Sequence, residues 1–100
     1  MWRGTTPTHT FTLPEGIRAE DFTAIFITYS QNGNPVLEKT KEDMTIEGNV
    51  IRLTFSQADS LLFDAGPVKI QLRAKTAGGQ AVASEIVATT AKDVLKDGEI

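Results

Sequence analysis

One hundred residues, 40% hydrophobic and 23% charged, suit a single globular domain and are too apolar for a disordered chain. The absence of cysteine removes disulfide scaffolds and thiolate zinc sites, and the single histidine leaves little imidazole chemistry. Ten basic against 13 acidic residues give a net charge of −3, without the basic footprint of a nucleic-acid binder.

Thr, Val and Ile supply 27 of the residues and tilt the chain toward strands. Met1–Pro7 lacks the apolar core of a signal peptide, and no apolar run exceeds four residues, so neither export nor membrane spanning is expected. The first strand is predicted over Thr6–Leu13. His9, Phe11 and Leu13 point one way there, and Thr8, Thr10 and Thr12 the other, as in a half-buried strand. Ile17 and Phe22 are expected to pin a loop or single helical turn. Ala24–Gln31 is the strongest strand; its apolar character on both faces predicts a central position with some cover on the second side. Asn32-Gly33 reads as a type I′ turn into a short strand, Val36–Lys39, where Pro35 implies an edge or a strand-initial position.

Met44–Glu47 and Asn49–Phe55 form the next hairpin. Ser56-Gln57-Ala58-Asp59 has the form of a capping box with Asp for Glu, predicting one helical turn near 56–63 whose apolar residues plug the core. Val68–Lys75 alternates, with Val68, Ile70, Leu72 and Ala74 inward and Lys69, Gln71, Arg73 and Lys75 outward. Gly78-Gly79 turns the chain into Ala81–Thr90. A three-residue loop there would place Val82 and Ile86 inside and set Arg73 opposite Glu85. The tail, 91–100, reads either as a short helix or as a frayed end.

About seven strands with one helical corner predict an all-β, antiparallel, immunoglobulin-like sandwich occupying residues 1–100, with a closed barrel as the rival. No catalytic, metal or cofactor site is expected. His9 would need a serine and an acid folded beside it, and Glu20-Asp21 and Glu42-Asp43 read as solvated loop charges. The patterned surface is the stripe Gln71, Arg73 and Lys75, a candidate protein-contact face. Thr10 and Thr12 on the first strand are weaker candidates, as an edge able to accept a strand from another chain.

Several segments carry a resemblance. Arg3-Gly4-Thr5-Thr6-Pro7-Thr8 with Phe11-Thr12-Leu13-Pro14 is followed by Thr28-Tyr29-Ser30-Gln31, Leu53-Thr54 and Ser56–Phe63. Val68–Arg73, Gly78-Gly79 and Ala83-Ser84 complete the set. Together they resemble the amino-terminal immunoglobulin-like domain of baseplate upper proteins from phages and prophages of Gram-positive bacteria. The resemblance implies a virion component that docks on tail or baseplate proteins or on itself, with no catalytic residues to carry over. Those proteins continue into helical or receptor modules, so this chain reads as a stand-alone relative. The rival reading is a carbohydrate-binding module, which would need a row of exposed aromatics; Trp2 and Tyr29 are the residues to examine.

Overall fold

In the computed structural model, which describes residues 1–100, alternation and turn chemistry produce eight strands and one short helix. The strands are β1 (Thr8–Thr12), β2 (Phe22–Gln31), β3 (Asn34–Thr40), β4 (Thr45–Glu47), β5 (Val50–Thr54), β6 (Gly66–Thr76), β7 (Ala81–Ala83) and β8 (Val87–Ala91). Helix α1 (Gln57–Leu61) lies between β5 and β6, and 3₁₀ turns cover Ala19–Asp21 and Lys41–Asp43. One sheet has the order β1-β5-β4; the other runs β3-β2-β6, with β7 and β8 sharing the far edge of β6. Every strand pair is antiparallel.

This is an antiparallel β-sandwich with the immunoglobulin strand order. In that lettering, β1, β5 and β4 stand as B, E and D, and β3, β2, β6 and β7–β8 as C′, C, F and G. Strand A, which flanks B in that fold, is reduced to a parallel bridge between Trp2 and Lys92 at the end of β8.

The core forms where the inward residues meet. Ile25, Ile27 and Tyr29 of β2 and Val68, Ile70, Leu72 and Ala74 of β6 face Ile51 and Leu53 of β5, with Phe55 and Phe63 at one end. Each large side chain buried there contributes about 1.5–3 kcal/mol. The predicted type I′ turn is present, with Asn32 at φ 53° and Gly33 at φ 78°. The capping box is also present. Ser56 Oγ accepts from the Asp59 N–H (3.1 Å), and the Ser56 N–H donates to Asp59 Oδ2 (2.9 Å).

Several expectations are corrected. Ile17 is exposed, and Ala19 is buried in its place, because the 3₁₀ turn directs Ala19 under the β4–β5 turn, its N–H bonded to Gly48. Phe63 plugs the core, whereas Leu62 is exposed. The second side of β2 is uncovered, leaving Phe26 41% exposed. The tail is neither helical nor free. Ile100 exchanges two hydrogen bonds with the Gln57 amide, and Arg3 ties down Asp93 (2.7 Å).

The last hairpin departs most. Its loop does have three residues, but these are Ala77-Gly78-Gly79, so Arg73 faces Ala83 instead of Glu85. Beyond Ala83 the register shifts by one: Ala74 pairs with Val82, but Ile70 pairs with Val87. The extra residue is accommodated at Ser84. Its N–H donates to the Leu72 carbonyl (2.8 Å), and its Oγ accepts the Leu72 N–H (3.0 Å). A shift of one residue exchanges the faces of the strand, which turns Ile86 outward, 60% exposed; Val82 and Val87 take the inner side opposite Ala74 and Ile70, yet stay 39% and 51% exposed at this edge and do not join the core.

Candidate functional site

The five candidate contact residues fall into two groups on different layers. Gln71, Arg73 and Lys75 project from the outer face of the five-stranded sheet; Thr10 and Thr12 lie on β1 of the opposite sheet.

On the five-stranded sheet, register places Arg73 beside Phe26, Gln71 beside Thr28 and Lys69 beside Ser30. Directly opposed residues of this kind lie about 4.5–5.5 Å apart, so Phe26 sits within the basic stripe. A hollow of about 390 Å³ lies there, lined by Ala24, Phe26, Thr28, Glu38, Arg73 and Lys75 among others. None of the Lys69, Arg73 and Lys75 side chains enters an ion pair. Two free cations, Arg73 and Lys75, thus flank one exposed aromatic on a chain of net charge −3, with Lys69 farther along the stripe. The alternation Ala24-Phe26-Thr28 put Phe26 on this face; reading the face as covered hid its exposure.

The second group borders a cleft of about 540 Å³ between β1 and the β7–β8 edge. The rungs between β1 and β5 run through odd-numbered residues: the Leu13 N–H donates to Asn49 (2.8 Å), and the Phe55 N–H donates to Pro7 (2.9 Å). Antiparallel alternation therefore directs the backbone N–H and C=O groups of Thr8, Thr10 and Thr12 away from β5, toward the cleft. The floor is apolar: Phe11, Leu13, Ile70, Leu72 and Val87 line it, with His9.

His9 is not set beside a serine and an acid. Its Nδ1 lies 2.8 Å from the Tyr29 hydroxyl, and its ring meets Phe55 edge-on, with centroids 4.9 Å apart. Burial, followed by the positive charge at the amino terminus, lowers its pKa below 6.5. Burial also raises the Tyr29 pKa well above its usual value of 10. The acidic pairs serve local structure. Glu20 accepts from Arg18 and from the Gly48 N–H (2.9 Å), and Asp43 accepts from the Thr40 N–H (3.0 Å).

Tyr29 is fully buried, and Trp2, 52% exposed, carries Lys92 5.1 Å above its ring. The exposed aromatics Trp2 and Phe26 stand apart and form no row. Arg3, in the opening motif, acts within the fold: its Nε donates to the Phe63 carbonyl (2.6 Å), just past α1. No group of three or more His, Cys, Asp or Glu is placed to hold a metal ion, and no helix is long and apolar enough to cross a membrane.

Compared with known proteins, the chain matches no family model, no curated protein and no solved structure.

Proposed function

We propose that this domain is a non-catalytic docking module, a tail- or baseplate-associated component of a phage or prophage virion. It acts by pressing the outer face of its five-stranded sheet against another tail protein or a copy of itself. The observation that carries the docking reading is the pair Arg73 and Lys75, free of ion pairs beside the exposed Phe26, with Lys69 farther along the same stripe. An uncovered aromatic flanked on one side by free cations suits an acidic partner surface with an apolar centre, since aromatic and arginine side chains anchor interfaces. The phage assignment draws on the sequence resemblance to baseplate upper domains.

Two measurements test the two halves. Tail, holin or lysin genes are expected beside the coding sequence; a neighbourhood without them overturns the phage assignment. The double variant Arg73→Glu, Lys75→Glu is expected to disappear from purified virions and to lose any self-association seen by sedimentation. Unchanged incorporation and unchanged sedimentation reject this face. Specific binding on a glycan array, lost on Trp2→Ala, would replace docking with carbohydrate recognition.

A further inference from the structure

The sandwich is short of one strand. In the immunoglobulin order a strand A flanks strand B, yet here β1, in the B position, has β5 on one side and only the open cleft on the other. The chain fills the top of this seam itself. Its first three residues lie against the end of β8, with the Lys92 N–H donating to Met1 (2.8 Å) and the Arg3 N–H donating to Lys92 (2.9 Å). It then crosses to β1, and below that crossing nothing occupies the seam.

The other long edge of the molecule is defended. β3 carries Pro35, which has no donor, and Lys39, which pairs inward with Asp59 (3.1 Å). Both are devices that block strand addition. β1 carries neither: it is a regular run with unpaired backbone groups at Thr8, Thr10 and Thr12.

We propose that this seam receives an extended segment of a partner protein, which adds as a strand on the free edge of β1 and completes the sandwich. The segment is apolar at alternate positions, so that every second side chain drops onto Phe11, Leu13, Ile70, Leu72 and Val87 while its backbone pairs with the threonines. It carries a lysine or arginine at one end. Glu85 is the one side chain bearing a full charge among those lining the cleft; it forms no ion pair and so favours a cation. Five residues of β1 span about 17 Å, enough for a segment of five or six residues. This site is separate from the basic sheet face and does not depend on it.

The test uses the full chain and a synthetic peptide, Lys-Val-Thr-Val-Thr-Val. At saturating peptide, amide hydrogen exchange at Thr8, Thr10 and Thr12 is expected to slow at least about tenfold, the worth of one backbone hydrogen bond. Thr10→Pro removes an edge donor that makes no rung to β5, and is expected to weaken binding about tenfold. Glu85→Lys is expected to weaken this peptide about two- to fivefold and to prefer a version with Glu in place of Lys. That charge exchange decides the matter even if Thr10→Pro fails to fold. The variant Arg73→Glu, Lys75→Glu, which tests the docking face, is expected to bind the peptide normally. No protection at the three threonines, or binding that follows Arg73 and Lys75, overturns the proposal.

Discussion

The imidazole of His9 and the hydroxyl of Tyr29, 2.8 Å apart, join the first strand of one sheet to the central strand of the other. Around this contact His9, Tyr29, Phe55 and Phe63 form one aromatic cluster, with Phe55 edge-on to both His9 and Tyr29. Half-burial makes a charged ring unfavourable, so the folded state holds His9 neutral more strongly than the unfolded chain does.

Because the folded pKa of His9 is depressed, the unfolded state binds the extra proton first. Stability is therefore full above pH 6.5 and falls as pH drops from there toward the folded pKa, below which the loss levels off. Thermal unfolding between pH 7.5 and 5 is expected to show this decline, and His9→Phe to flatten it. Tyr29→Phe removes the partner of Nδ1 and is expected to cost about 1–2 kcal/mol in urea unfolding.

Ser84→Ala deletes the hydroxyl that accepts the Leu72 N–H. The expected cost is about 1–2 kcal/mol, because the donor is left without its acceptor. The amide exchange of Leu72 reports it directly and should accelerate, while Ile27 in the centre of the sheet follows only the global change.

Asp59 ties α1 to the edge of the sheet, receiving the Ser56 N–H and the Lys39 ammonium. Burial pushes its pKa up, but these partners outweigh it, and the carboxyl sits below its ordinary value of 3.8. Asp59→Ala is expected to lose about 2 kcal/mol through the cap and the stranded inward lysine. As the folded pKa is lowered, the ionised form's contribution is present above pH 3.8 and disappears as pH falls through the folded value. Chemical denaturation at pH 7 and pH 3 is expected to show the variant and wild type converging at the lower pH.

Arg3→Ala cuts the links to Phe63 and Asp93. The tail is expected to loosen without unfolding the core. Hydrogen exchange should speed at Lys92 and Ile100 and stay unchanged at Ile51 and Leu53.

The core was legible because period-two alternation holds through β1, β2, β5 and β6, and the Ser56–Asp59 box announces its helix. What local pattern could not supply is where a strand slips. A polar side chain, Ser84, replaces a backbone acceptor, and every facing after it changes; nothing about Ser84 in isolation distinguishes it from an outward serine. The candidate site was half legible. The stripe Gln71, Arg73 and Lys75 reads from β6 alone, but Phe26 joins it only through the pairing of β2 with β6. The threonines of β1 were readable as an edge, whereas the cleft beside them depends on how two distant edges come to face each other.

Pro35 and the inward Lys39 on β3 give the molecule a valence as well as a fold. A sheet protein open at both ends can add neighbours without limit and grow into fibres. Here the β3 edge of the five-stranded sheet is closed by sequence, whereas the β1 edge of the three-stranded sheet is left open, so the two layers differ in how they meet another chain. Under the proposed strand addition, growth of the molecule into an array is directed to β1 and barred at β3.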